Sequence, residues 1–305
     1  MINYFSILVI ILIFPYFVFS QIGINTTTPN AKAVLDLTST NKGFLPPRMT
    51  EAQRNIISSP VPAGLVVYCI DCGNSGQLQV YNGVAWTDMT GGPAASFICG
   101  TTTVSFRYNG NIVTYGTVLN TTTNKCWLDR NLGASQVATS SNNAAAYGDL
   151  FQWGRGDDGH QIRTSDTTHT LSLTDTPGHN EFIIALPMPW DWRSPQNNNL
   201  WQGVNGINNP CPNGYRLPTQ AELDAERLSW SSQNPAGAIG SPLKLTLTGF
   251  REYNDGDLNF VGSYGYYRCS TLSGIYSSYL YFGGTTAGIS ATSRANGWAV
   301  RCIKD

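Results

Sequence analysis

Three histidines, His160, His169 and His179, stand among Asp157, Asp158, Asp166 and Asp175, residue types that bind metal ions or move protons. Their separations of nine and ten residues match neither His-Glu-x-x-His nor another short zinc arrangement, so they read as parts of a polar loop. Asp255-Gly256-Asp257-Leu258-Asn259 opens like a calcium loop. However, its sixth position is Phe260, where an EF-hand has glycine, and its twelfth is Tyr266 in place of glutamate. An irregular calcium site built from carbonyl and carboxylate oxygens stays open, and no other cofactor or metal is implied. No Gly-x-Ser-x-Gly is present, and no serine, histidine and acid stand out as a set.

Seven cysteines remain: Cys69, Cys72, Cys99, Cys126, Cys211, Cys269 and Cys302. Two zinc knuckles would need a second closely spaced pair, and only Cys69-Ile70-Asp71-Cys72 is of that kind. It lies between two strand-like runs rather than ahead of a helix, so a local structural disulfide is expected, not a redox motif. Among the others, Cys99–Cys126 and Cys211–Cys302 are the expected bonds, which leaves Cys269 odd.

The densest chemistry is aromatic. Residues 250–282 hold ten of the 35 aromatic side chains, and seven of these are Tyr. Tyrosine gives rigid contact area with a hydrogen-bonding tip at low entropic cost, and Ser, Gly and Asn add adaptable polar contacts, the mixture that antibody paratopes use. Tyr267, Leu280 and Phe282 are expected in a core. Tyr279 and Tyr281 fall on the opposite face by strand alternation. Tyr264, Tyr266 and Arg268 alternate on one face of their own strand as an aromatic and cationic patch. With Tyr253, Asn254, Tyr276 and Ser278, these are the candidate ligand-binding residues.

The elements that position them read as follows. Asn82-Gly83 and Asn109-Gly110, each between apolar runs, signal hairpins. The break Met89-Thr90-Gly91-Gly92-Pro93 places a domain boundary near residue 92. Residues 144–153, capped by Asn142 or Asn143, carry Tyr147, Leu150 and Phe151 at helical spacing. A second helix starts at the capping box Thr219-Gln220-Ala221-Glu222, with Leu223 and Leu228 directed inward. Beyond residue 243 short strands return, and the last one places Trp298, Val300 and Cys302 on a shared face. Strands, two helices, then strands that must rejoin the first ones make an α+β pattern.

Composition narrows the classes. Of 305 residues only 12% are charged and the net charge is −1, against about 25% charged in ordinary soluble proteins. Without a basic run the chain lacks the footprint of nucleic-acid binding. Its 41% hydrophobic content argues against wholesale disorder. Residues 1–20 read as a cleaved signal peptide with Val18 and Ser20 at the −3 and −1 positions. Pro15 interrupts the apolar run that a membrane anchor would need, and no Cys follows the cleavage point to carry a lipid. No later stretch is long enough to span a bilayer, so export is expected.

Four motifs also carry a resemblance: Cys126-Trp127-Leu128-Asp129-Arg130-Asn131-Leu132-Gly133, Tyr147-Gly148-Asp149-Leu150-Phe151-Gln152-Trp153-Gly154-Arg155, Cys211-Pro212-Asn213-Gly214-Tyr215-Arg216-Leu217-Pro218-Thr219 and Gly297-Trp298-Ala299-Val300-Arg301-Cys302. In this order they resemble the Fibrobacter succinogenes major paralogous domain family of secreted bacterial proteins, over roughly residues 99–305. The resemblance implies a C-type-lectin-like fold in its formylglycine-generating-enzyme variant: a small twisted antiparallel sheet, two helices and long loops. Residues 21–92, with Gly23-Ile24-Asn25-Thr26-Thr27-Thr28-Pro29 and Gly43-Phe44-Leu45-Pro46-Pro47-Arg48-Met49, resemble a β-rich module of secreted Bacteroidetes surface proteins. Residues 249–302, framed by Gly249-Phe250-Arg251, Gly262 and Arg294-Ala295-Asn296-Gly297, resemble the variable region of retroelement-diversified proteins. In those proteins, adenine-mutated codons produce Tyr, Asn, Ser, Arg, Asp, Gly and Cys on one ligand-facing surface. The residues of those types here include Cys269 and Ser277 beside the candidates named above.

The expectation is therefore an exported, non-enzymatic protein of the bacterial surface: residues 1–20 a signal, 21–92 a β module, 93–305 a lectin-like domain. Its partner would be a protein or glycan ligand on another surface, and the first module would attach or oligomerise it. Two alternatives stand beside this. One is a secreted enzyme of the formylglycine-generating or carbohydrate-active type, for which Cys269 and Cys302 are the candidate thiols. The other is a structural surface or fibre component.

Overall fold

A computed structural model describes residues 21–57 and 59–305; the expected signal peptide lies outside them. The chain divides into two compact units between Pro46 and Pro47. In the first, Ile22–Ile24 pairs in parallel with Leu35–Leu37, and Asp36 accepts the Asn30 amide at 2.8 Å. Ile22, Ile24, Leu35 and Leu37 are all exposed, as are Val34, Phe44 and Leu45. Two strands alone bury too little to be independently stable.

The second unit starts with a four-stranded sheet in the order Arg48–Met49, Val66–Cys69, Gln77–Tyr81, Trp86–Asp88. The expected boundary at residue 92 falls inside this unit. Long-range links bind residues 47–92 to the rest, among them the Phe97 amide to Glu51 (2.8 Å), the Ser105 amide to the Asn74 carbonyl (2.6 Å), and Lys304 to Asp71 (2.6 Å). The Asn109-Gly110 turn joins Val104–Tyr108 to Asn111–Tyr115. Both turn residues have positive φ, 46° and 77°, as the twist of a two-residue hairpin requires.

Two sheets close on the last segment of the chain. One runs Tyr215–Arg216, Ile303–Lys304, Lys125–Leu128, Thr117–Asn120; the other runs Phe151–Gln152, Gly297–Trp298, Phe250–Arg251, Leu258–Asn259. The expected return of late strands to early ones is thus met, with Ile303 opposite Trp127 and Trp298 opposite Phe151. The alternation at the end of the chain divides it between two cores. Val300 and Cys302 enter one, with Phe151, Trp153 and Trp201; Ala299 and Ile303 enter the other, with Trp127, Leu223 and Phe282.

The expected helix over 144–153 is instead a 3-10 turn, Ala144–Ala146, followed by the strand Phe151–Gln152. Asn143 makes no capping bond. Gly148 has φ +69°, and a Cβ there would run into the Leu132 carbonyl, so the chain turns where the helix would continue. Leu150 and Phe151 then enter different cores, which is strand behaviour.

The helix Gln220–Leu228 forms with its capping box: Thr219 Oγ1 accepts the Glu222 amide at 3.2 Å, and Glu222 accepts the Thr219 amide at 2.8 Å. Leu223 is buried, whereas Leu228 is exposed and Trp230 is buried in its place. A further short helix, Pro235–Gly240, has Asn234 as cap and Pro235 in its first turn, a start signal that the expectations passed over. The bonds Cys69–Cys72, Cys99–Cys126 and Cys211–Cys302 all form, and Cys269 is unpaired and buried.

A candidate recognition surface of tyrosines

The aromatic segment forms a three-stranded antiparallel meander, Tyr264–Ser273, Tyr276–Gly283 and Thr286–Thr292. Side-chain alternation separates its two faces. Tyr267, Leu280 and Phe282 are buried as expected, with the Tyr267 and Phe282 rings stacked at 5.9 Å. Tyr264, Tyr266, Tyr279 and Tyr281 are half-buried on the opposite face.

Glycines make room for these rings. Tyr264 is the direct cross-strand partner of Gly283, and Tyr281 that of Gly288. A Cβ at Gly283 would run into the Tyr264 ring, and one at Gly288 would meet the Tyr281 hydroxyl at 2.9 Å. Each ring therefore lies flat over backbone, an arrangement that pins aromatic residues on a sheet.

The rings form a continuous row. Phe260 meets Tyr264 at 5.5 Å, Tyr264 stacks on Tyr266 at 6.0 Å, Tyr266 meets Tyr279 at 6.2 Å, and Tyr279 meets Tyr281 at 6.1 Å. Beneath them Trp298 packs edge-on against Tyr279 at 3.8 Å and tilts against Tyr266 at 5.5 Å. The row borders an open hollow of about 410 Å³ whose wall includes Ser290. Burial and the neighbouring phenols push the Tyr266 hydroxyl up to about 12, so it stays protonated and can donate.

Arg268 shares the strand face of Tyr264 and Tyr266 but is wholly buried. Its guanidinium lies 4.1 Å from the Trp298 ring centroid. It donates to the carbonyls of Ser293 (2.8 Å) and Asn296 (2.7 Å) and to the Ser277 hydroxyl. Burial lowers its pKa to about 9, so it remains charged at neutral pH. Arg268 is thus a support under the aromatic row, not a ligand contact. Ser278 is also buried, because the alternation that turns Tyr279 outward turns Ser278 inward. Ser277, on the outer side, is covered by Arg268.

Tyr253 and Tyr276 fall in a second aromatic group around Trp190, which stacks on Tyr276 at 6.2 Å and tilts against Tyr253 at 6.0 Å; Asn254, next to Tyr253, is exposed. Sequence reasoning missed Phe260 and Trp190. Both have positive φ, 56° and 57°, and Phe260 stands at the position where a calcium loop carries glycine.

The histidines do not gather. His160 is buried, its Nδ1 2.5 Å from Asp158 and its Nε2 accepting the Gln152 amide at 3.1 Å. Burial and the nearby Arg155 cation hold it down at about 4. His169 is exposed, and His179 sits beside Glu181 at 3.5 Å. In the Asp255 loop, Asp255 caps the Asp257 amide at 2.9 Å, and the Gly256 carbonyl is taken by Arg251 at 2.7 Å. Among the described residues the one grouping at metal-ligand spacing is Cys69, Asp71 and Cys72, whose sulfurs are bonded to each other. The Cys269 thiol points at the Ser278 carbonyl at 3.1 Å, and burial pushes it up to about 11.

Residues 23–106, just over a quarter of the chain, match the model of a phage tail-like trimerisation region. No curated protein and no solved structure matches the chain. Among the described residues no helix is long and apolar enough to cross a membrane.

Proposed function

We propose that this chain is an exported surface-recognition protein whose C-terminal lectin-like domain presents the tyrosine row to a protein or glycan on another surface. The observation that carries this reading is a row of four half-buried tyrosines laid over backbone and braced from below by Trp298 and Arg268. Rigid aromatic anchors with hydroxyl tips bind with little ordering cost, and Ser290 adds a further hydroxyl at the wall of the hollow. The buried positions Arg268, Cys269, Ser277 and Ser278 form the scaffold. Any diversified set would be the outward tyrosines with Asn254.

Residues 23–106 would assemble the chain into a homotrimer. The support is the match to a trimerisation region together with the bare apolar side chains of the Ile22–Ile24 and Leu35–Leu37 strands. Three copies would multiply a weak site into a strong one by raising its effective concentration.

The thiol-based enzyme reading has less support, since Cys302 is bonded to Cys211 and the Cys269 thiol is buried with a raised pKa; a deprotonated, accessible sulfur is what such chemistry needs.

The test is retention of labelled mature protein on a panel of bacterial cell surfaces and immobilised glycans. The native protein should be retained on at least one. The Tyr266→Ser, Tyr279→Ser, Tyr281→Ser triple variant should be lost from it while keeping its disulfides and melting as one unit. Equal retention of both proteins would defeat the reading.

A further inference from the structure

The strand Ile303–Lys304 brings a primary amine against a buried carboxylate. Lys304 Nζ lies 2.6 Å from Asp71 Oδ2; the Asp71 side chain is wholly buried and that of Lys304 is 14% exposed. A contact this short between lysine and aspartate is ordinarily a hydrogen-bonded ion pair. Here Asp71 Oδ2 has no hydrogen-bond partner among the described residues, so the amine approaches outside hydrogen-bond angles. Burial imposes a desolvation cost on such a pair that good hydrogen-bond geometry must offset, and this pair has the distance without the geometry.

Both groups are held in place by covalent bonds nearby. Asp71 sits inside the loop closed by Cys69–Cys72, and Lys304 follows shortly after Cys302, which is bonded to Cys211. Lys304 also stands opposite Tyr215 in the sheet, and the Asp305 amide donates to the Gly214 carbonyl at 3.0 Å. The second carboxyl oxygen, Asp71 Oδ1, accepts the Glu51 amide at 2.7 Å. Aromatic rings cover the pair. The Phe97 ring centroid lies 4.7 Å from Nζ, and the Phe97 amide is fastened to the Glu51 carboxylate at 2.8 Å. Tyr215 is buried on the other side, where burial and then the Asp71 charge push its phenol up.

We propose that Lys304 and Asp71 condense into an amide, an intramolecular isopeptide bond that ties the 69–72 loop to the strand Ile303–Lys304. Nζ first hands one proton to Oδ2, which leaves a neutral amine and a carboxylic acid. The amine lone pair then attacks Cγ, and the negative charge gathers on Oδ1. The Glu51 N–H already points at that oxygen, at the distance a preorganised oxyanion donor needs. A second Nζ proton passes to the Oδ2 hydroxyl, the Cγ–Oδ2 bond breaks, and one water leaves. Nothing is oxidised or reduced and no co-reactant enters. Fixing both groups in the fold replaces an encounter between free partners, and the dry surroundings disfavour the reverse hydrolysis. The bond needs nothing of the tyrosine row, so its failure and that of the recognition reading are separate.

The experiment is mass spectrometry of the native mature protein, unfolded and with its disulfides reduced. Its mass should be one water below that of its sequence, and Lys304→Arg and Asp71→Ala should each show their full sequence mass. Trypsin then locates the bond. Cleavage after Arg54, Arg107 and Arg301 gives residues 55–107 and 302–305, which should emerge joined as one branched peptide from the native protein and as two peptides from either variant. The native measurement decides by itself, whether or not a variant folds. The proposal is overturned if the native protein has its full sequence mass, if the two peptides emerge separately, or if the joined peptide persists in Lys304→Arg.

Discussion

The Arg268 guanidinium lies 4.1 Å from the centroid of the Trp298 ring, and with no carboxylate in ion-pair range among the described residues this stack and two backbone carbonyls hold the charge. A desolvated cation over tryptophan is worth about 2 kcal/mol, and hydrogen bonds from a charged donor about 1.5–3 kcal/mol each. Lysine cannot reproduce the planar fork. Arg268→Lys should therefore cost about 3–5 kcal/mol of stability, read as a lowered midpoint in urea denaturation. A loss under about 1 kcal/mol would show that the stack does not support the aromatic row.

Gly283 faces the Tyr264 ring directly across the sheet. Gly283→Ala places a methyl group where the ring lies, and overpacking of this kind costs about 1–3 kcal/mol. The expected outcome is a lower melting temperature together with a changed near-ultraviolet tyrosine signal. An unchanged signal would mean that the ring does not rest on this glycine.

Stability should fall in acid before the carboxylates titrate. His160 is held at about 4 in the fold, against an ordinary value of about 6.5. Between these values the unfolded chain binds a proton that the folded one does not. Stability thus rises with pH through this window, and up to about 3 kcal/mol present above pH 6.5 is lost as the pH falls to 4. Asp158, held at about 2 by His160 and Arg155, extends the loss below its ordinary value of 3.8. Denaturation midpoints measured from pH 7 to 4 should slope steeply in the native protein and less so in His160→Gln. Parallel slopes would contradict the assignment.

Light scattering of the mature protein should give three times the chain mass. Ile24→Asp with Leu37→Asp, on exposed strand positions, should reduce it to one chain mass without loss of the disulfide-bonded domain. A native monomer would remove the trimer from the proposal.

Most of what was legible in the sequence was set by neighbours in the chain, the long-range bonds Cys99–Cys126 and Cys211–Cys302 being exceptions. The Asn109-Gly110 turn, the Thr219 capping box and the Cys69–Cys72 bond each depend on residues a few positions apart. The outward tyrosines were legible because alternation is local as well. What was missed is tertiary. Nothing near Leu150 and Phe151 announces that they enter separate cores. The cover over Arg268 comes from Trp298, thirty positions on, and Asp71 is tied to the body of the domain by Lys304 at the far end of the chain. Ser278 is different, since alternation alone would have turned it inward once Tyr279 was turned outward.

If the outward tyrosines are diversified, the DNA beside the gene should carry an imperfect copy of the region for residues 249–302 that differs at adenines, near a reverse transcriptase. The differences should fall on codons for Tyr264, Tyr266, Tyr279 and Tyr281 more than on the buried Tyr267 and Phe282. Their even spread over both sets would separate the surface from any diversification.

The role of the tyrosine row is tested most directly by binding isotherms of the native protein and of Tyr279→Ser on the surface that retains it. Tyr279 touches Tyr266, Tyr281 and Trp298 at the centre of the row, and truncation of a central aromatic anchor costs about 2 kcal/mol or more. Affinity should fall at least about thirtyfold with the fold intact; superimposable isotherms would contradict recognition through this face.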